Sequence, residues 1–151
     1  MSTAETATMD EATRRAIEAD CTRLINLYAL RNDAGDWDAV AALYADDGLM
    51  TRPSSPDKPI VGREAILAAF KSRPARASRH ACSNIVVEVE SETQASAFSV
   101  ILLFQGEASA DGGLPVRDPK GPLVGWFKDR FVKTADGWRF AERRGGLDFR
   151  P

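Results

Sequence analysis

From Glu11 to about Arg31 the apolar positions Ile17, Cys21, Leu24, Ile25 and Tyr28 recur at helical spacing, with Arg14, Arg15, Glu18 and Arg23 on the other side. That period predicts a long amphipathic helix. Thr8 followed three residues later by Glu11 has the form of a capping box that would open it, and the preceding small polar residues are expected to fray. The turn chemistry of Asn32-Asp33-Ala34-Gly35-Asp36 stops the helix, and Asp36 is placed to cap a second one over Trp37 to Tyr44. Gly48 to Arg52 suits a short strand. Pro53 to Pro59, with three prolines, reads as a surface loop or lid. A third helix follows Gly62-Arg63-Glu64 through Ile66, Leu67 and Phe70 and ends before Pro74.

Beyond Pro74 the period changes. Ile85, Val87 and Val89 alternate with their neighbours, Ala95 to Gln105 is β-branched and aromatic, and Leu123 to Lys133 alternates around Phe127 and Phe131. Asp136-Gly137 between two apolar runs predicts a hairpin joining the last two strands. Ala108 to Pro122 is left as a long inter-strand loop of functional or mobile character. Helices first and mostly antiparallel strands afterwards predict an α+β domain over residues 11–149, following a flexible stretch over residues 1–10. One face of a curved sheet should be covered by helices.

Composition narrows what such a domain does. A chain of 151 residues with 44% hydrophobic and 28% charged residues can bury a core, and its formal charge of −2 supplies no cationic field for nucleic acid. No apolar run of signal-peptide or membrane-spanning length occurs, which leads to the expectation of a cytoplasmic protein without a membrane partner. Cys21 and Cys82 lack the spacing of a redox or zinc motif and read as small buried hydrophobes. His80 is the sole histidine, so a metal site needing two imidazoles cannot be assembled within one chain, and no metal or other cofactor is expected.

The ordered series Tyr28, Asp33, Asp36-Trp37, Tyr44, Asp46-Asp47-Gly48, Gly62-Arg63-Glu64-Ala65-Ile66, Arg79-His80, Asn84-Ile85 and Asp136-Gly137-Trp138-Arg139 to Arg143 resembles the SnoaL-like branch of the nuclear transport factor 2-like superfamily. The likeness runs over roughly residues 13 to 148, and order and separation carry it rather than any single piece. It implies a cone-shaped α+β barrel, a bent antiparallel sheet wrapped around the first helix with an apolar pocket at its open end, and a homodimer or small homo-oligomer. The superfamily includes scytalone dehydratase, ketosteroid isomerase, polyketide cyclases, limonene epoxide hydrolase, a hexachlorocyclohexane dehydrochlorinase and noncatalytic subunits, so the fold alone does not choose a function.

By the same resemblance, Asp33 falls on the acidic position of dehydratase and dehydrochlorinase members, His80 on their histidine at a strand start, and Arg143 on a late arginine. With one histidine, a mechanism needing two imidazoles is excluded, and the dehydrochlorinase pattern fits best. A carboxylate that accepts a proton from one imidazole nitrogen fixes the tautomer and leaves the other nitrogen as a base. That pair suits elimination, dehydration or isomerisation of a hydrophobic cyclic or aromatic small molecule. Tyr28, Tyr44, Asn84 and Asp129 are candidates for polar groups in the pocket. Trp37, Met50, Phe98, Trp126 and Phe127 are candidates for its walls. Arg143 would bind a leaving group or oxyanion, with neighbouring Arg144 competing for that register. Strand parity places Cys82 and Asn84 with His80 and turns Ile85, Val87 and Val89 the other way, unless a bulge intervenes. Taken alone, Asp33 reads as a turn residue and His80 as a half-exposed strand residue. Two other functions therefore stay open: a noncatalytic binding or assembly subunit, and a hydrolase or cyclase using Asp33 alone.

Overall fold

The computed structural model describes residues 8–151; the expected fraying of the first residues lies largely outside them. Helix α1 (Glu11–Asp33) carries the predicted buried stripe through Ile17, Cys21, Leu24, Ile25 and Tyr28. Its cap is Asp10 rather than Thr8: the Asp10 carboxylate accepts the Thr13 N–H at 2.9 Å, two residues closer to the apolar stripe. The helix also runs two residues past Arg31, so Asn32 and Asp33 belong to its last turn. Gly35, at φ +68°, then reverses the chain, and the Asp36 N–H closes back on the Arg31 carbonyl at 3.0 Å. Asp36 caps α2 (Trp37–Ala41) as expected, accepting the Ala39 N–H at 3.2 Å.

Helix α2 stops at Ala41, short of Tyr44, because the sheet takes over the backbone. The Phe140 N–H donates to the Leu43 carbonyl at 2.8 Å, and Tyr44 opens β1 (Tyr44–Arg52) in parallel register with Phe140. The proline-rich segment is not a loop. Ser55–Val61 forms β2, which turns back on β1 with Met50 opposite Ile60. It is an edge strand, so the backbone donors that Pro56 and Pro59 lack are needed by no outer neighbour.

Helix α3 (Arg63–Lys71) buries Ile66 and Phe70. The remaining strands are β3 (Ala77–Val89), β4 (Gln94–Glu107), β5 (Val116–Arg117), β6 (Leu123–Thr134) and β7 (Gly137–Leu147). They form one unclosed sheet in the order β2-β1-β7-β6-β4-β3, with β5 against β4; only the β1–β7 pairing is parallel. Gly137, at φ +104°, makes the predicted hairpin between β6 and β7. The long 108–122 connection is partly ordered by β5, where Val116 and Arg117 pair with Glu107 and Gly106. The curved sheet wraps α1, and Tyr28 meets the rings of Tyr44, Phe70, Phe127 and Phe140 edge-on, with centroids 6.0–6.3 Å away. Cys21 is fully buried and Cys82 is half-buried against the same core. No helix among the described residues is long and apolar enough to cross a membrane.

A bulge in β3 corrects the parity expected for that strand. The β3–β4 register shifts between Ser83 and Val86, with Asn84 at φ +50°, a conformation asparagine tolerates better than most side chains. The extra residue lets Cys82 above it and Ile85, Val87 and Val89 below it all pack on the core, while Asn84 points outward and is exposed.

Gly145 packs β7 closely against the end of β1. Its N–H donates to the Thr51 hydroxyl at 3.0 Å, and a Cβ there would fall 2.7 Å from the Pro53 ring and 2.8 Å from the Pro53 backbone nitrogen. Gly145→Ala is therefore expected to lower unfolding free energy by about 1–3 kcal/mol, measured by urea denaturation. An unchanged midpoint would mean that the β1–β2 corner yields without cost.

Candidate active site

Asp33 is the last residue of α1, and His80 lies near the start of β3, 47 residues further on. The curvature of the sheet over the helix end brings them together. His80 Nδ1 lies 2.5 Å from Asp33 Oδ1, the His80 backbone N–H donates to Oδ2 at 2.8 Å, and the Ser78 hydroxyl donates to Oδ1 at 3.0 Å. Both side chains are nearly enclosed, at 12% exposure for His80 and 6% for Asp33. A carboxylate that accepts from a backbone amide and a hydroxyl is held in place to receive the Nδ1 proton, which leaves the Nε2 lone pair free. Nε2 has no hydrogen-bond partner among the described residues.

The pair lines a cavity of about 610 Å³, within the range of small-molecule sites. Tyr28, Trp37 and Phe127, all expected there, contribute to its walls together with Ile101, Leu103 and Leu123. Trp37 is stacked on Phe70, with ring centroids 5.4 Å apart.

Several other candidates lie elsewhere. Phe98 is 41% exposed on the outer face of the sheet, and Trp126 projects to that face with the Lys128 ammonium over its ring. Alternation along β4 and β6 accounts for both, because Ala97, Ser99, Phe127 and Asp129 occupy the inward positions. Asn84 is turned out by the bulge. Tyr44 and Met50 are fully buried in the core rather than in the cavity wall; the Met50 sulfur accepts the Tyr28 hydroxyl at 3.8 Å.

Asp129 and Arg143 also lie behind the wall. Arg143, not Arg144, points inward, since Arg144 is exposed and pairs with Glu142 at 3.2 Å. The Arg143 guanidinium carbon sits 3.9 Å from the centre of the Phe127 ring and 4.3 Å from that of Tyr28, two rings whose other contacts reach the cavity. Its Nε is 3.6 Å from Asp129 Oδ1, and both side chains have no exposed surface. Burial pushes the Asp129 carboxyl from its usual 3.8 up to about 6, with the Arg143 charge opposing the shift. The folded form then holds a proton that the unfolded chain has released. Stability is expected to fall by about 3 kcal/mol as pH rises from about 4 to above 6, and the fall should be absent in Asp129→Asn. Urea midpoints across that window check it.

Sequence reasoning did not identify Ser78, Arg52 or Arg73. Ser78 was findable, because it stands two residues before His80 and so shares its strand face. The arginines carry no such signal, being residues at element ends beside Pro53 and Pro74.

Comparison with known proteins fits this geometry. Residues 13–144 match the SnoaL-like domain family. The chain belongs to that family. No curated protein matches it. Among solved structures, this SnoaL-like chain is similar to a provisionally assigned scytalone dehydratase from Novosphingobium aromaticivorans, at 23% identity and TM-score 0.78 over 93% of this chain and 89% of that one. It is similar to an NTF2-like protein with a cystatin-like fold from the same organism, at 25% identity and TM-score 0.71 over 93% and 92% of the two chains. It also resembles a hexachlorocyclohexane dehydrochlorinase (LinA, type 2), at 14% identity and TM-score 0.75 over 93% and 90%. These likenesses establish the SnoaL-like, NTF2-like fold. Among the described residues of this family member, no group of three or more His, Cys, Asp or Glu side chains is placed to hold a metal ion.

Proposed function

We propose that the protein is a cofactor-independent lyase or isomerase in which His80 Nε2 removes a proton from a hydrophobic cyclic or aromatic substrate. Asp33 holds the Nδ1–H tautomer and stabilises the imidazolium that forms. The observation that carries this reading is the 2.5 Å contact between His80 Nδ1 and Asp33 Oδ1 in the wall of the cavity. Ile101, Leu103, Leu123 and Phe127 supply an apolar bed for the substrate ring, and Asp33 compensates the charge that develops on the imidazole. An elimination fits this equipment: the C–H electron pair becomes a new π bond or enolate, the leaving group departs with its own pair, and the imidazole retains the proton. The dehydratase and dehydrochlorinase names carried by structural relatives agree with that class.

Asp33 as sole base, the hydrolase or cyclase alternative, is less well supported by this geometry. Both of its oxygens already accept protein hydrogen bonds, three in all with the imidazole.

5-Nitrobenzisoxazole tests the reading without knowledge of the natural substrate. Removal of its ring C–H proton breaks the N–O bond and releases a coloured cyanophenolate, so the reaction needs a base in an apolar pocket and nothing else. The wild-type protein is expected to show saturable turnover that His80→Ala abolishes. Turnover surviving in that variant, or absent in the wild type, overturns the assignment of His80 as base.

A further inference from the structure

The charged residues of the cavity lining are Arg52, Arg73 and Arg76 against Asp33 alone, in a chain whose overall formal charge is −2. The arginines stand beside the exposed lining residues Ser54, Pro74 and Ala75, on the solvent side of the cavity. Asp33 is already engaged by Ser78 and His80, so it neutralises none of them. Arg76 is matched by Glu107 at 3.1 Å. The other two are not matched.

Arg73 is half-buried, and its guanidinium makes no hydrogen bond or ion pair with any described residue. Its guanidinium carbon sits over Phe70, 4.3 Å from the ring centre, a contact that holds the cation without using its N–H donors. Arg52 donates one Nη2 hydrogen bond to the Ala69 carbonyl at 2.9 Å, which fixes it to α3, and its buried Nε has no partner. The two cations are near enough for Arg52 to lower the pKa of Arg73, in addition to the larger lowering by burial; Tyr28 and Tyr44 act in the opposite sense. Two like charges, partly desolvated and short of acceptors, are each destabilised until an anion is bound between them.

We infer that Arg52 and Arg73 form an anion subsite at the mouth of the cavity, and that the substrate is an apolar ring system carrying a carboxylate, which anchors there while the ring enters toward His80. This names the substrate class for the site proposed above and rests on that reading only for the direction in which the ring points. It adds an anionic group to the hydrophobic cyclic or aromatic ligand expected from sequence. The carboxylate is favoured because its two oxygens match the fork of a guanidinium.

The experiment is isothermal titration of the full chain with 2-naphthoate and with its neutral isostere 2-naphthamide, at low and high sodium chloride. The wild type is expected to bind naphthoate about tenfold or more tightly than naphthamide, the worth of one charge-assisted hydrogen bond, with a preference that shrinks as salt rises. Arg73→Gln should remove most of that preference and leave naphthamide affinity unchanged. Because the Arg73 guanidinium has no hydrogen-bond partner among the described residues, this variant carries the test even if Arg52→Gln, which loses the bond to Ala69, fails to fold. Equal affinity for the two ligands, no naphthoate binding at millimolar concentration, or an unchanged preference in Arg73→Gln overturns the subsite. His80→Ala is the separating control. If it still prefers naphthoate but also still turns over nitrobenzisoxazole, the base assignment fails while the anion subsite stands.

Discussion

His80→Ala is expected to lower the rate of nitrobenzisoxazole elimination by about 10²–10⁴, the usual worth of a positioned general base. The Michaelis constant should change little, because the ring is held by Trp37, Phe127 and their apolar neighbours rather than by the imidazole. Asp33→Asn should produce a loss of the same order for a different reason. An amide nitrogen placed where Oδ1 now lies would donate to Nδ1, force the proton onto Nε2 and remove the lone pair that does the chemistry. Ser78→Ala, which strips one of the three donors from the carboxylate, should cost least of the three. His80→Gln separates the alternatives: a protein relying on Asp33 alone keeps substantial rate, whereas the dyad loses it. Asp33→Asn with wild-type activity would remove the carboxylate from the mechanism and leave an unassisted imidazole.

The second large effect concerns stability rather than rate. Asp129→Asn is expected to stabilise the fold by up to about 3 kcal/mol at pH 7, and Arg143→Met to give no such gain. The asymmetry follows from what each partner can do when left alone. Burial raises the Asp129 carboxyl to about 6 even beside Arg143, so its neutral form folds more favourably than the carboxylate, and a neutral amide keeps that advantage as pH rises. The Arg143 cation then remains against the faces of Tyr28, Phe127 and Phe140. Arg143→Met removes the charge that opposes the shift, so Asp129 must take up a proton to stay buried and becomes a neutral group costing about 1–3 kcal/mol unpaired. Urea denaturation of the wild type and both variants at pH 7 checks the order. A loss of about 3 kcal/mol or more in Asp129→Asn would show that the guanidinium depends on the carboxylate as its counter-ion and would overturn the raised carboxyl.

The resemblance to dehydrochlorinase members suggested Arg143 as a leaving-group ligand, and its position changes that expectation. The side chain is one layer deeper than the cavity wall, behind the rings of Tyr28 and Phe127. The cations that do line the cavity are Arg52, Arg73 and Arg76, supplied by the end of β1 and the residues after α3.

Period and punctuation along the chain sufficed for α1, α3 and the strands β3, β4, β6 and β7, because each buries one face and therefore repeats its apolar residues at its own pitch. Asp33 and His80 were singled out through the family resemblance, since their own types and places read only as a turn residue and a half-exposed strand residue. Their contact was not legible along the chain, since 46 intervening residues separate them and only the bend of the sheet over the end of α1 closes the distance. Tertiary context likewise decided β2, where proline is tolerated because the strand lies at an edge. It decided the Asn84 bulge, which no alternation rule anticipates, and the depth of Arg143. A residue's own type and spacing dictate which face of its element it occupies; what that face meets depends on register, bulges and edges, which are properties of strands brought together.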